Sequence, residues 1–208
     1  MHSWGAAAPG PFRVREAALG PVLMYDAGVK VLLIGLRGCG KTTLGRLLSG
    51  RWSVPFVDLD DRTAALLGAS SAGEGLRLKG ESAFREAEAA ALHAALAEPG
   101  EQILALGGGT PTAPGAAKMI RDWCGGRRWP VVYLALRPES LVERLERLNP
   151  LERPPLTGLV LAEEVRLLHK RRDDLYRELA SHVIDAEGKS PAEIADLVGR
   201  ACDSMDWG

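Results

Sequence analysis

The chain has 208 residues, which at roughly 150 residues per domain suits one domain with appendages rather than two. Its 46% hydrophobic and 25% charged residues match an ordinary globular protein and exclude extended disorder, collagen and coiled coil. Lys plus Arg number 26 against 27 Asp plus Glu, a formal charge of -1, so the balance carries no footprint for nucleic acid or an anionic membrane, and no apolar run approaches the about 20 residues that cross a bilayer.

Residues 1–28 lack a basic start followed by an unbroken apolar core and are interrupted by Pro9, Pro11 and Pro21, so they read as a flexible tail rather than a secretory signal. A folded domain is expected over residues 29–202, followed by a short tail at 203–208. VKVLLIG, bounded by Gly28 and Gly35, suits a strand buried on both faces, and a helix follows from Lys41 to about Arg51 with Leu44, Leu47 and Leu48 on one side. VPFVDLD, QILALGGG, PVVYLAL and HVIDA repeat the strand pattern. They are separated by segments of helical spacing such as Glu81 to Ala97, Pro138 to Leu148 and Ala162 to Ala180. Short apolar strands alternating with amphipathic helices imply parallel strands, hence an α/β sheet covered on both faces, with active residues past the carboxyl ends of the strands. Three cysteines, Cys39, Cys124 and Cys202, fit neither a disulfide framework nor a paired zinc motif, so a reducing cytosol is expected.

The strongest motif is Gly35-Leu36-Arg37-Gly38-Cys39-Gly40-Lys41-Thr42, which fits G-x-x-x-x-G-K-[ST] and lies between a buried strand and a helix start. Glycines let backbone N–H groups curl around phosphate oxygens, the helix N-terminus adds positive potential, Lys41 suits the β and γ phosphates, and Thr42 offers a hydroxyl to Mg²⁺. This is a nucleoside triphosphate site. Cys39 lies near that helix N-terminus and Lys41, surroundings that predict a reactive thiol.

Asp58 and Asp60 fall at the carboxyl edge of the VPFVDLD strand, where carboxylates hold a metal shell or accept a hydroxyl proton; the alternative is a helix cap supplied by Asp60 and Asp61. Arg85 stands early in the helix opened by Gly80-Glu81, where the macrodipole disfavours a cation, so it wants an anion, whether a ligand or a neighbour such as Glu88. Gly107, Gly108 and Gly109 follow the third strand, either as a close ligand approach or as a plain turn. NPLERPPLTG makes a candidate lid carrying Arg153, or an ordinary loop. In the Ala162 to Ala180 helix, Arg172 occupies a missing step in the stripe of Val165, Leu168, Leu175 and Leu179; an inward arginine has to be paired, with a ligand or with Asp173 or Asp174.

With GLRGCGKTT, VDLDD, GESAFREAE, ALGGG, ERPPL and KRRDDLYRELA in this order, the chain resembles shikimate kinase from about Val29 to Ala201. The resemblance implies a nucleoside monophosphate kinase-like, three-layer P-loop fold with a five-stranded parallel sheet in order 2-3-1-4-5, flanked by helices and carrying a lid at about 149–160. It implies transfer of the ATP γ-phosphate to the 3-hydroxyl of shikimate, in chorismate and aromatic amino acid biosynthesis, with Mg²⁺ as cofactor. The implied roles are ATP binding by Gly38, Cys39, Gly40, Lys41, Thr42, Thr43, Arg147, Arg153 and Lys189, with Arg144 as an equal candidate to Arg147 for the adenine contact. Thr42 and Asp58 match metal-shell positions, and Lys41, Asp60 and Arg153 match catalytic ones. Asp60, Arg85, Gly107, Gly108, Gly109 and Arg172 match the acceptor pocket. The resemblance departs at Arg153-Pro154-Pro155-Leu156, and at Asp173 and Asp174, acids that stand to compete for Arg172. A cytoplasmic monomer with no nucleic-acid or membrane partner is expected. The alternatives are another small-metabolite kinase, such as one acting on gluconate, and a non-catalytic metabolite-binding regulatory domain.

Overall fold

Val31, Leu32, Leu33 and Ile34 are each at most 2% exposed, so the strand that carries them has no solvent face and has to lie inside a covered sheet. The computed structural model, which describes residues 12–17, 20–25, 30–125, 129–147 and 159–203, places it at the centre. A hairpin of β1 (Phe12–Ala17) and β2 (Gly20–Tyr25) comes first, then β3 (Lys30–Ile34), α1 (Lys41–Trp52), β4 (Phe56–Asp58), α2 (Leu59–Leu66), α3 (Ala72–Ala97) and β5 (Gln102–Ala105). A 3₁₀ turn (Thr110–Thr112) leads to α4 (Ala116–Ile120), which continues as a π turn over Arg121–Gly125. The chain then runs through β6 (Val131–Ala135), α5 (Pro138–Glu146), α6 (Leu161–Leu179), β7 (His182–Asp185) and α7 (Pro191–Asp203).

The central sheet is parallel with order β4-β5-β3-β6-β7; counting only its own strands this is 2-3-1-4-5, flanked by helices, as expected. Each expected sheet strand is present, and α1, α5 and α6 match the expected helices within two residues. Consecutive strands β3 and β4 are separated by β5, and β6 lies on the other side of β3, so the strand order reverses beside β3. A crevice opens past the carboxyl ends at such a point.

Three local features differ from the sequence expectation. The expected tail includes the antiparallel ladder from Phe12↔Tyr25 to Ala17↔Gly20, running beside α1; Pro21 is accommodated as the second residue of its strand, while Pro9 and Pro11 lie outside the described residues. β4 stops at Asp58, and Asp60 belongs to the first turn of α2; the cap is the Asp58 side chain, which accepts the Asp60 N–H at 3.1 Å, rather than Asp60 or Asp61. The helix around Arg85 extends back to Ala72 through a break at Gly80, whose φ of 80° and ψ of 169° no helix tolerates. The segment from Glu81 is helical as expected; the roughly two turns from Ala72 to Lys79 carry too little apolar periodicity to be seen in the sequence.

Candidate active site

Between β3 and α1 the backbone takes positive φ at Gly35, Gly38 and Gly40, of 140°, 86° and 104°, a path that a side chain at each position would strain. Gly40 precedes α1 without any side-chain cap, so the first-turn N–H groups are left for an anion. Lys41 folds back along the loop, its Nζ donating to the Gly35 carbonyl at 2.8 Å and the Leu36 carbonyl at 3.1 Å. The Thr42 hydroxyl donates to Asp58 Oδ2 at 2.8 Å, which joins the end of β4 to the loop. Thr43 is exposed and also lines the cavity.

Cys39 corrects an expectation. Its side chain is 1% exposed and packs in the core, with Sγ 3.7 Å from Lys41 Nζ, so a reagent reaches the thiol only when the loop opens. The Cys39 carbonyl accepts from Arg144 Nη1 at 3.3 Å. Arg144 lines the cavity whereas Arg147 is exposed and outside its wall, one helical step further on, so the structure brings the former to the loop. Lys189 lines the same cavity, donates to the Glu187 carbonyl at 3.4 Å and lies 3.8 Å from Asp185. Arg153, and all of the expected lid except its last residues, lie outside the described residues.

The opposite wall is made of side chains from several elements. Arg85 Nη1 meets Glu88 Oε2 at 2.5 Å, and the other oxygen of Glu88 accepts the Thr110 hydroxyl at 2.9 Å. Glu88 is 1% exposed, and a carboxylate so buried is tolerable because both its oxygens are engaged. The compensating anion expected for Arg85 is therefore within its own helix. The wall is tight beside it: a methyl at Gly109 would displace the Arg85 guanidinium, and one at Gly107 would displace the ends of the Asp60, Thr110 and Glu88 side chains.

Arg172 is buried, as its place in the stripe predicts, and its Nη1 donates to the Gly108 carbonyl at 2.8 Å. The Tyr176 hydroxyl donates to the same carbonyl, and burial pushes that phenol's pKa up, so it remains a donor. Asp173 does not compete for Arg172. Its carboxylate accepts the Tyr133 hydroxyl at 2.7 Å and Arg177 Nε at 2.7 Å, and Asp174 is exposed. Burial pushes the Asp173 pKa up, but those two hydrogen bonds outweigh it and hold the carboxyl below its ordinary value. Adjacent residues on a helix point about 100° apart, and that separates the acid from the arginine.

Both walls enclose one cavity of about 760 Å³, with Lys41 and Asp58 on the loop side and Asp60, Arg85, Gly108 and Arg172 on the other. Among the described residues no cluster of His, Cys, Asp or Glu could by itself hold a metal. The arrangement suits a polyanionic donor over the loop and a small acceptor whose own anion meets two arginines. Sequence reasoning named Glu88 only as a neighbour for Arg85; Thr110 and Tyr176 it missed altogether, because no local pattern marks their contacts.

Known proteins resemble this chain over most of its length. The family profile for shikimate kinase matches residues 37–203. A shikimate kinase from Rhodopirellula baltica is 36% identical over 176 residues, covering 83% of this chain and 89% of that protein. Shikimate kinase 2 from Salmonella schwarzengrund is 38% identical over 167 residues, covering 80% and 87%. Among solved structures, shikimate kinase from Acinetobacter baumannii in complex with shikimate superposes with a TM-score of 0.74 at 28% identity, covering 86% of this chain and 96% of that one. A gluconokinase from Sinorhizobium meliloti 1021, with a TM-score of 0.59 at 15% identity, shares the fold alone.

Proposed function

We propose, from the premise that this chain belongs to the shikimate kinase family, that it transfers the γ-phosphoryl group of ATP to the 3-hydroxyl of shikimate, releasing ADP and shikimate 3-phosphate. The observation that carries the reading is the meeting, in one cavity, of a phosphate loop with two largely buried arginines, Arg85 and Arg172, on either side of Gly108 and Gly109.

ATP lies with its phosphates over Gly38 to Thr43, and Lys41 neutralises charge on the β and γ oxygens. Arg85 and Arg172 clasp the acceptor carboxylate, while Gly107, Gly108 and Gly109 let its ring approach the backbone. Asp60, in the first turn of α2 beside Gly107, orients the attacking hydroxyl and accepts its proton. Arg153 is assigned to the closing of the lid, and Arg144 and Lys189 to the nucleoside end.

Thr42 and Asp58 are hard oxygen donors already in contact, and they fit Mg²⁺, which keeps several waters, takes phosphate oxygens and asks for only one or two protein carboxylates. When bound, the ion neutralises charge on the β and γ phosphates. Lys41 and the loop N–H groups hold those phosphates in place, and Asp60 sets the direction of the hydroxyl.

No helix among the described residues is long and apolar enough to cross a membrane. The same reading places a monomer in a reducing cytosol, and the buried free cysteines support the reducing compartment. A coupled assay with ATP, Mg²⁺ and a panel of shikimate, quinate, gluconate and nucleoside monophosphates tests the assignment. Turnover of shikimate alone is expected; preference for gluconate, or binding of shikimate without turnover, would overturn it.

A further inference from the structure

Glu164 is a buried carboxylate, 1% exposed, for which the mechanism above has no use. It sits in the first turn of α6, a position the helix dipole favours for an acid, and its Oε1 meets Arg37 Nη2 at 3.3 Å. Arg37 is a phosphate-loop residue. Its side chain keeps 21% of its surface exposed and lines the cavity. Sequence reasoning treated it as one of the unspecified positions of the motif.

The surroundings of Arg37 mark where the transferred group has to pass. Lys41 Nζ, the reporter of the β and γ phosphates, rests on the carbonyl of Leu36, the residue immediately before it. On the acceptor side, a methyl at Gly108 would come within 3.0 Å of the Arg37 backbone nitrogen. Arg37 therefore stands where the loop touches the acceptor wall. A phosphoryl group moving from one to the other carries its charge past this point.

We propose that Arg37 is a further catalytic residue, whose guanidinium meets the oxygens of the transferring phosphoryl group, and that Glu164 is the positioning residue that aims it. The proposal rests on the phosphotransfer reading above. Glu164 holds the Nη2 end of the planar guanidinium of Arg37 at the edge of the cavity. α6 thereby carries both the partner of Arg37 and Arg172, which donates to the Gly108 carbonyl.

The test uses full-length Arg37→Met, Arg37→Lys and Glu164→Gln, each checked for folding by melting temperature. Arg37→Met is expected to lower kcat roughly a hundredfold, as loss of one preorganised transition-state donor does, with both KM values nearly unchanged. Its affinity for ADP alone should stay at the wild-type level, whereas its affinity for ADP with aluminium fluoride in the presence of shikimate should fall along with kcat. Arg37→Lys should restore part of the loss. Glu164→Gln should give a smaller kcat loss that disappears in the Arg37→Met background, since the two act as a unit. If the singles fold poorly, the double variant Arg37→Met/Glu164→Met, which leaves no buried charge, should show the same kcat loss. Wild-type kcat in Arg37→Met, or a change confined to KM, would overturn the proposal and make the pair a tether. The two readings fail separately. Absence of wild-type turnover on shikimate overturns the substrate, whereas equal kcat of wild type and Arg37→Met on whichever panel acceptor is turned over overturns the role of Arg37.

Discussion

The loop side and the acceptor side of the cavity are built by opposite means. From Gly35 to Thr42 the loop is one continuous stretch whose shape is set by backbone dihedrals and whose cation, Lys41, is held by carbonyls within six residues of it. The acceptor wall gathers Asp60 from α2, Arg85 from α3, Gly108 from the end of β5 and Arg172 from α6, and its supporting bonds span 22 residues from Glu88 to Thr110 and 64 from Gly108 to Arg172. A site made of backbone tolerates change around it and fails when its own residues change. A site made of side chains depends on partners that touch no ligand.

The largest effect expected from this contrast is on the loop. Lys41→Ala should lower kcat on the order of a thousandfold at saturating ATP, because water supplies no preorganised cation there. The fold should survive with a melting temperature lower by about 3 °C, since Gly35 and Leu36 are buried and the Gly35 carbonyl loses a donor, whereas that of Leu36 keeps the Cys39 N–H. Near-wild-type kcat would end the phosphate-cradle reading.

On the acceptor side, Arg85→Lys or Arg172→Lys keeps the charge and loses the planar fork. Each should raise KM for shikimate and lower kcat/KM about tenfold to a hundredfold, as for one lost charge-assisted hydrogen bond, with KM for ATP unmoved. Equal effects on both substrates would dissolve the distinction between the two sides.

A weaker effect is expected at Tyr133→Phe, which removes one of the two donors on Asp173. Stability at pH 7 should fall by about 1 kcal/mol, measured by urea unfolding. A carboxyl whose folded pKa lies below its unfolded value stabilises the protein above that unfolded value and ceases to as pH falls through the folded one. The gap between wild type and Tyr133→Phe should therefore narrow below about pH 4. A gap that widens on acidification would show that Asp173 is not held in its charged form.

Smallest of all is the effect of starting the chain near Asp26, which removes the β1–β2 hairpin beside α1. Turnover should be unchanged and the melting temperature should drop by no more than about 3 °C. A larger drop would make the hairpin part of the fold that supports the loop.

The same contrast explains what the sequence reveals. The loop, the strands and the inward Arg172 are legible because each is a local spacing, whether G-x-x-x-x-G-K-T, an apolar run or a helical stripe, whereas the strand order is implied only by the family resemblance. Glu88 is half legible, being three residues from Arg85 on one helix face. Thr110, Tyr176 and the Arg37–Glu164 pair are not, because contacts across 22, 68 and 127 residues exist only after the sheet has assembled. Proximity in sequence misled in one case: Asp173 adjoins Arg172 and yet binds Tyr133 on β6. Cys39 misled for a related reason, since a motif gives position along the chain and says nothing about which side of the loop a thiol occupies.

A carbonyl oxygen has two lone pairs, and both of those on Gly108 are engaged, one by Arg172 and one by the Tyr176 hydroxyl. That oxygen is saturated as a base. On the phosphotransfer reading proposed above, an acceptor hydroxyl lying along the glycine run would find no lone pair there to take its hydrogen and would turn to the carboxylate of Asp60 beside Gly107. On that reading the wall turns the hydroxyl toward its base without touching its proton.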